Sequence, residues 1–210
     1  MNILIVGASR GIGKALMEEA LKEGHQVTVL ARFPQKITIT DSRLELLQGD
    51  VRDLDSVRKA AADKDVICSC IGVPITFKEV DLFSVAATNY VAVLSENPGL
   101  KLIAITGIGA GDTKGHGGFL YDKMFKPLLL KTIYADKDRE EAIIMNSPVA
   151  DWLIVRPAGL TNGPRTGTYR VLNDLRGVTS RRISRRDVAD FMLSQIAHPT
   201  QFGNTPLLTY

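Results

Sequence analysis

Short apolar runs alternate with amphipathic helical segments along the chain, and this alternation constrains the fold more than any other feature. The first run, residues 2–6, ends at Gly7, and the apolar residues of 11–23 then recur at helical spacing up to Gly24, a typical helix-ending residue. Most runs are apolar on both faces, as in parallel strands covered by helices. Because crossovers between parallel strands are right-handed, the sequence predicts an α/β fold with one doubly wound parallel sheet and helices on both faces.

The pattern also predicts where each element begins and ends. Strands are expected at 2–6, 26–31, 44–47, 65–69, 100–106, 152–155 and 206–209, with a further short strand at 169–172 in an otherwise irregular stretch, 158–184. Helices are expected at 11–23, 53–63, 83–95, 123–146 (at least its second half) and 185–197, with Asp53 and Ser184 as N-caps. Glycine-rich residues 107–122 are interpreted as a loop, either a lid or an excursion without function.

Length and composition narrow the class of protein. The 210 residues, 45% apolar and 23% charged, fit one globular domain and argue against disorder. A net charge of +3 gives no reason to expect a nucleic-acid or membrane partner, and no apolar run reaches the length of a membrane span. Cys68 and Cys70 are expected to be reduced core residues, and the few His and Cys show no metal-ligand spacing. We therefore expect a cytoplasmic protein without a metal.

Three glycines between the first predicted strand and helix point to a ligand. Gly7 permits a tight turn, Gly11 lets the backbone approach a pyrophosphate, and Gly13 lets the helix pack closely on the sheet. The helix N-terminus then offers free N–H groups to the phosphates. This context favours a dinucleotide site. A glycine-rich turn of a flavodoxin-like fold is the alternative, but it leaves Gly11 and Gly13 unexplained.

Residues near the second and third strands indicate which dinucleotide. An NAD site has an acidic residue after the second strand, whereas this chain has Arg32 there and Arg10 in the glycine loop. Two guanidinium groups suit the 2′-phosphate of NADP(H), although each arginine alone would also be an ordinary surface charge. Asp50, after the third strand, is either an acceptor for the adenine amino group or a loop cap.

Taken together, Gly7–Gly13, Gly49-Asp50-Val51, Thr106, Lys137 and Arg156-Pro157 resemble the short-chain dehydrogenase/reductase superfamily. The chain is most similar to its atypical branch, which contains biliverdin-IXβ reductase/flavin reductase and the NADPH quinone reductases. The resemblance covers nearly all of 1–210 and implies one Rossmann-like NAD(P)-binding domain, with 158–210 completing a small substrate-side region. It implies that the cofactor phosphates are contacted by Gly7, Ser9, Arg10, Gly11 and Ile12, and the 2′-phosphate by Arg32. The adenine would lie beside Asp50 and Val51, and the adenine-side ribose beside Ile71 and Gly72. The nicotinamide side would be contacted by Thr106, Lys137, Pro157 and Ala158.

The chain lacks the proton-donating pair of most members of that superfamily. None of its tyrosines has a lysine four residues later, and Gly107 stands where flavin-reductase relatives carry serine. Reduction of an isolated ketone needs a proton donor in place, whereas a flavin, quinone or linear tetrapyrrole delocalises the incoming charge and takes its proton from water. The sequence therefore predicts an NADPH-dependent reductase of a conjugated acceptor.

Three residues are candidates for the chemistry. Lys137 would hold the nicotinamide ribose or steady developing negative charge, unless it is a solvated helix lysine. Tyr134, on the same helix face, is a proton donor or a packing residue, and Thr106 is expected beside the nicotinamide. The arginine-rich stretch 181–186 is a solvated basic patch or binds an anionic substrate.

Two other functions stay open. One is a non-catalytic NADP(H) sensor that acts through a protein partner, and the other is a sugar-nucleotide or isoprenoid reductase. The expected partner is a small conjugated acceptor, and the expected assembly is a monomer or a small homo-oligomer.

Overall fold

The structure, a computed structural model, describes residues 1–113, 130–178 and 180–210. Its strands are β1 (Asn2–Val6), β2 (Gln26–Ala31), β3 (Leu44–Gln48), β4 (Val66–Ser69), β5 (Lys101–Ile105), β6 (Trp152–Pro157), β7 (Gly159–Thr161), β8 (Arg170–Leu172), β9 (Arg182–Ser184) and β10 (Leu207–Thr209). Its helices are α1 (Gly11–Lys22), α2 (Leu54–Ala61), α3 (Leu82–Glu96), α4 (Lys131–Met145) and α5 (Arg185–Ala197), and 3-10 turns lie at Pro34–Lys36 and Gly111–Thr113.

The central sheet confirms the predicted α/β architecture. Its order is β3-β2-β1-β4-β5-β6-β10-β8, and the first seven of these strands run parallel. The edge strand β8 is antiparallel to β10, whereas the sequence predicted a parallel sheet throughout. An antiparallel edge strand is common in such sheets because it needs no crossover.

Both faces of the sheet are covered, as β1 illustrates. Ile3 and Ile5 pack into the apolar cluster that contains residues of α1 and α5, whereas Leu4 and Val6 pack into the cluster that contains residues of α2, α3 and α4. The two-residue period of a strand sends successive side chains to opposite faces, so a strand buried on both faces is apolar throughout.

Most predicted boundaries lie within two residues of the observed ones. The second half of the predicted helix 123–146 is α4, and residues 123–129 lie outside the described part of the chain. The interpretation of 158–184 as irregular is wrong in part, because β7 and β9 form a separate parallel pair there. Each of these two strands has a single apolar residue, Leu160 or Ile183, so no apolar run marks them in the sequence.

The predicted N-caps are in place. Asp53 accepts hydrogen bonds from the N–H groups of Asp55 and Ser56, and Ser184 Oγ accepts one from the N–H of Asp187. Helix α3 is capped differently, because Asp136 of α4 accepts the N–H of Phe83 at 2.7 Å. This bond between helices fixes the position of α4 against the start of α3.

The arginine-rich stretch 181–186 is only partly a solvated patch. Arg186 contacts Glu19 of α1 at 3.3 Å, and Arg165 contacts the same buried carboxylate at 3.3 Å. Arg185 donates to Asn162 at 2.8 Å. These contacts tie α5 and the segment after β7 to neighbouring elements, so part of the cluster has a structural role that the charge pattern did not reveal.

Within the described residues, no helix has both the length and the apolar character needed to cross a membrane.

Candidate cofactor and active site

The glycine loop after β1 is shaped by contacts that exclude side chains. Gly7 has φ +92°, and a Cβ on it would lie 2.6 Å from the Cys70 carbonyl oxygen. A Cβ on Gly13 would lie 2.3 Å from the Gly7 carbonyl oxygen. The predicted reasons for glycine at these positions therefore hold, since both allow a close backbone approach between the loop, β4 and α1.

The N-terminus of α1 is left open to a ligand. Its N-cap residue, Arg10, makes no side-chain capping bond, and a Cβ on Gly11 would meet no atom within 4 Å. Ser9, Arg10 and Gly11 are exposed, while Ile12 is buried and anchors the helix. Free N–H groups at a helix N-terminus bind phosphate, so this part of the molecule fits the pyrophosphate of a dinucleotide.

Two basic side chains, Arg32 and Lys36, lie close together after β2. Arg32 is exposed, with its guanidinium carbon 6.0 Å from the centre of the Phe33 ring, and Lys36 Nζ lies 4.9 Å from the same ring centre. No carboxylate of the described residues pairs with Arg10, Arg32 or Lys36. Unpaired cations here fit a 2′-phosphate. Sequence reasoning missed Lys36, although its spacing of four residues from Arg32 was visible.

The residues after β3 and β4 also lie at the carboxyl ends of the parallel strands. Asp50 Oδ1 accepts the N–H of Arg52 at 3.0 Å, so Asp50 is a loop cap, and its other oxygen accepts no bond from the described residues. Val51 is buried and its carbonyl accepts from Asn89. Ile71 is half-buried against apolar neighbours, and Gly72 is exposed with open space around it.

Lys137 is buried rather than solvated. It is 7% exposed, and its Nζ donates to the Ile105 carbonyl at 3.0 Å and to Glu140 Oε2 at 3.2 Å. The ammonium also lies 3.8 Å from the centre of the Phe83 ring, a cation–π distance. The interpretation of Lys137 as a solvated helix lysine is therefore wrong. Its bond to Ile105, the last residue of β5, places the charge at the carboxyl ends of the strands, where the loops that follow them meet.

Thr106 belongs to a buried polar network. Its hydroxyl donates to Glu141 Oε1 at 2.7 Å, and Glu141 also accepts two bonds from Arg156, at 3.0 and 2.7 Å. Because the Thr106 proton is committed to Glu141, the Thr106 hydroxyl oxygen can act towards any further group only as an acceptor. Nothing in the sequence pattern linked Glu141 to Arg156, since 15 residues and a change of element separate them.

The end of β6 and the start of the glycine-rich loop lie beside this network. Pro157 and Ala158 are buried, and the Pro157 carbonyl accepts the N–H of Ile108 at 3.0 Å. A Cβ on Gly111 would lie 2.3 Å from Arg156 Nη2, so the loop backbone packs directly on the ion pair. Residues 107–113 are thus part of the packed structure rather than a free excursion. The rest of the predicted lid, 114–122, lies outside the described residues.

Tyr134 lies close to Gly107. A Cβ on Gly107, which has φ +143°, would lie 3.3 Å from the Tyr134 hydroxyl oxygen. The structure therefore brings Tyr134, Lys137 and Thr106 to the carboxyl ends of β5 and β6. Arg32 and Asp50 lie at the ends of β2 and β3, and the glycine loop of β1, which includes Arg10, lies between the two groups. This order follows the crevice expected for an extended dinucleotide.

The two cysteines make no disulfide. Cys68 is buried. Cys70 is half-buried as a residue, but its thiol is shielded from water, which raises the thiol pKa to about 12 although the charge of Lys137 lowers it. Cys70 is therefore a thiol at neutral pH and a poor nucleophile. In the part of the chain that the structure describes, no group of three or more His, Cys, Asp or Glu side chains is arranged to hold a metal ion.

A protein-family model described as NAD(P)H-binding matches residues 7–199. The chain belongs to this NAD(P)H-binding family. The match begins at the first glycine of the loop and includes every predicted cofactor residue, and the predicted cofactor class is thereby confirmed.

Curated relatives match only over a short part of their length. An uncharacterised oxidoreductase of Schizosaccharomyces pombe is 43% identical over 62 residues, which cover 30% of this chain and 21% of that protein. An NADPH-dependent pterin aldehyde reductase of Arabidopsis thaliana is 40% identical over 66 residues, covering 29% and 27%. Isoflavone reductase homolog A622 of Nicotiana glauca is 38% identical over 80 residues, covering 34% and 26%. The chain thus spans about a quarter of the length of these relatives.

Solved structures are similar along the whole chain. ChuY, an anaerobilin reductase from Escherichia coli O157:H7, has a TM-score of 0.79 and 21% identity, covering 100% of this chain and 97% of that one. A short-chain dehydrogenase/reductase from Veillonella parvula, in complex with NADP, has a TM-score of 0.82 and 15% identity, covering 100% and 94%. These similarities establish a Rossmann fold for the chain, as predicted.

Proposed function

We propose that this protein is an NADPH-dependent reductase that transfers a hydride to a conjugated acceptor, such as a flavin, a quinone or a linear tetrapyrrole. Membership of the NAD(P)H-binding family supports the cofactor. The cations after β2 support the choice of NADPH over NADH, because a carboxylate at that place would repel the 2′-phosphate.

The observation that carries the choice of acceptor is that most hydrogen-bond donors at the nicotinamide side are already engaged. The Thr106 hydroxyl donates its one proton to Glu141, and Lys137 donates two of its three N–H groups to Ile105 and Glu140. Thr106 thus has no proton for a substrate alkoxide, and the third N–H of Lys137 is left for the nicotinamide ribose. An acceptor that delocalises negative charge over a ring system has no such need, since water protonates the product.

The residues of the chain would then act mainly by positioning. The N–H groups of α1 bind the pyrophosphate, and Arg10, Arg32 and Lys36 hold the 2′-phosphate. Lys137 fixes the nicotinamide ribose through its remaining N–H, and Thr106 accepts a hydrogen bond from the nicotinamide side. When bound, NADPH supplies the hydride, and the acceptor takes up that hydride together with one proton from water.

Names of similar proteins agree with a reductase and point to different acceptors. ChuY is named an anaerobilin reductase, and the Arabidopsis relative is named a pterin aldehyde reductase. The test is therefore a steady-state screen in which NADPH oxidation is followed with FMN, a quinone, a linear tetrapyrrole, an aromatic aldehyde and a secondary ketone.

Turnover with at least one of the first three acceptors and none with the ketone is the expected result. Efficient ketone reduction that is lost in Tyr134→Phe would show that Tyr134 is a proton donor and would refute the proposal. Tight NADPH binding without turnover of any acceptor would favour the sensor function.

A further inference from the structure

Three polar atoms beneath the nicotinamide side are buried without a hydrogen-bond partner among the described residues. They are Ser69 Oγ at the end of β4, the Tyr90 hydroxyl of α3 and Glu140 Oε1 of α4. The parent residues Ser69, Tyr90 and Glu140 are each 0% exposed. A buried polar group without a partner is costly, so three from neighbouring elements are unusual in a structural core.

These groups lie close to one another and to Lys137. Burial raises the pKa of Tyr90, the neighbouring Ser69 hydroxyl lowers it, and the charge of Glu140 raises it further. The other oxygen of Glu140 accepts from Lys137 Nζ at 3.2 Å. Glu140 therefore binds the candidate site's lysine with one carboxylate oxygen, while its other oxygen accepts no hydrogen bond from the described residues.

Glu140 has an environment that favours its neutral form. Burial raises its pKa to about 7 against the lowering effect of Lys137, and the charges of Glu141 and Asp136 on the same helix raise it. From the neighbouring α3 the group near Glu140 is the Tyr90 phenol, whose pKa is raised by burial, so it carries no charge at neutral pH. Lys137 is thus its one nearby cation among the described residues.

We propose that Glu140 is a positioning residue, which holds the Lys137 ammonium at the nicotinamide half of the cofactor site and releases it when Glu140 is protonated. The inference rests on the proposed role of Lys137 in the reductase. A charged carboxylate fixes the ammonium between Glu140 and the Ile105 carbonyl. A protonated one offers only a weaker, neutral acceptor, so the buried ammonium is held mainly by Ile105 and the Phe83 ring and its remaining N–H is no longer firmly aimed.

The proposal fixes the sign of a pH effect on binding. Glu140 is ionised above pH 7 and protonated below it, so affinity for the nicotinamide half should fall as the solution becomes acidic. Between pH 8 and pH 6 the ionised fraction of a group with that pKa falls about tenfold, so the affinity for the nicotinamide half can fall by at most about that factor.

The experiment compares two ligands of the full chain. NADPH reaches both halves of the site, whereas adenosine 2′,5′-bisphosphate carries the 2′-phosphate but no nicotinamide ribose. The bisphosphate is used as its 5′-methyl ester, because a free 5′-phosphate titrates at about pH 6 whereas the pyrophosphate of NADPH does not. The ratio of the two dissociation constants then cancels titration of the 2′-phosphate and of the arginine site. For wild type we expect this ratio, NADPH over bisphosphate, to rise about three- to tenfold from pH 8 to pH 6. Both constants are measured by fluorescence or calorimetry without an acceptor, so the result stands even if the proposed acceptor class is wrong.

Variants separate positioning from a structural role. Glu140→Gln should raise the NADPH constant at pH 8, leave the bisphosphate constant unchanged and abolish the pH dependence of the ratio. In a Lys137→Met background the same change should have no further effect on the ratio. The matched control, Glu96→Gln, removes an exposed carboxylate of α3 and should behave as wild type. A ratio that is flat with pH in wild type, or a Glu140→Gln variant that keeps the pH dependence, would overturn the proposal. So would equal weakening of both ligands in Glu140→Gln.

Discussion

Glu141 holds Arg156 through two hydrogen bonds, at 2.7 and 3.0 Å, in a place where both side chains are only 3% exposed. The pair joins α4 to β6, and the Thr106 hydroxyl donates to the same carboxylate at 2.7 Å. Two elements that carry candidate site residues are thereby linked through one buried charge. A buried pair of this kind is costly to break, because the remaining charge has no water around it.

Removal of the Glu141 charge should therefore destabilise the protein strongly. Glu141→Gln removes the charge that accepts two bonds from the buried Arg156 guanidinium, and we expect a loss of about 3–5 kcal/mol in the free energy of unfolding. Thr106→Val removes one hydrogen bond and should cost about 1 kcal/mol. Urea denaturation measures both. The exposed Glu96→Gln variant is the control and should unfold close to wild type; a Glu141→Gln variant of equal stability would show that the pair contributes nothing net.

Cofactor preference should depend on the cations after β2. Arg32→Ala removes a charge-assisted contact to the 2′-phosphate, so NADPH affinity should fall at least about tenfold while NADH affinity stays unchanged. Lys36→Ala should act in the same direction. Lys64 comes shortly before β4, at the amino ends of the parallel strands, so Lys64→Ala is the matched control and should alter neither affinity. Equal affinity of wild type for NADH and NADPH would contradict the assignment.

The glycine loop predicts a sharp difference between two glycine-to-alanine changes. In Gly13→Ala the new carbon would meet the Gly7 carbonyl oxygen at 2.3 Å, so α1 must move away from the loop. We expect a loss of about 1–3 kcal/mol in stability and a large loss of NADPH affinity. In Gly163→Ala the new carbon meets its neighbours at 3.5 Å and beyond, so stability should be nearly unchanged. Thermal melts and fluorescence titration decide, and normal NADPH binding by Gly13→Ala would disprove the close-approach argument.

Lys137→Met tests whether the ammonium binds ribose or stabilises charge on the acceptor. A ribose contact formed equally in the ground and transition states should raise the KM for NADPH and leave kcat near wild type. A contact to developing charge should lower kcat about 10- to 100-fold, for a loss of about 1.4–2.7 kcal/mol. We expect the ribose pattern, because Lys137 is held by Ile105 and Glu140 and does not move freely towards an acceptor. Both parameters within twofold of wild type would remove Lys137 from the site.

The sequence predicted the parts of the fold that periodicity encodes. Strand β1 and helix α5 were placed to the residue, because each is a continuous apolar or amphipathic run with a clear start and stop. The pair β7–β9 was missed, since each strand has only one apolar residue and so forms no apolar run. The antiparallel direction of β8 was missed for a related reason: a strand pattern carries no information about the direction of its partner.

The candidate site was predictable wherever backbone chemistry requires a residue type. Gly7 and Gly13 were identified because their positions exclude a side chain. The burial of Lys137 was not predictable, since it depends on Glu140 on the next turn and on Ile105 and Phe83 from other elements. The same holds for Glu141 and Arg156, which become partners only after α4 and β6 have packed.

Asp187 should give the protein an acid-sensitive element. This buried carboxylate accepts hydrogen bonds from the N–H groups of Thr166 and Gly167 and from the hydroxyls of Ser184 and Tyr210. Burial raises its pKa, but the bonds from Tyr210, the two N–H groups and Ser184 outweigh burial and hold the pKa below its usual 3.8. A depressed pKa in the folded state stabilises the protein above pH 3.8, and that contribution is lost as pH falls through the folded-state pKa.

The expected outcome is a difference between wild type and Asp187→Asn that depends on pH. At pH 7 the variant should be less stable by about 1–3 kcal/mol, because the amide has one acceptor oxygen where the carboxylate has two. As pH falls below about 4 the wild type loses this contribution while the variant does not, so the two free energies of unfolding should converge. Urea denaturation at pH 7, 5, 4 and 3 measures the gap. A gap that stays constant with pH would mean that Asp187 contributes through packing rather than through its charge.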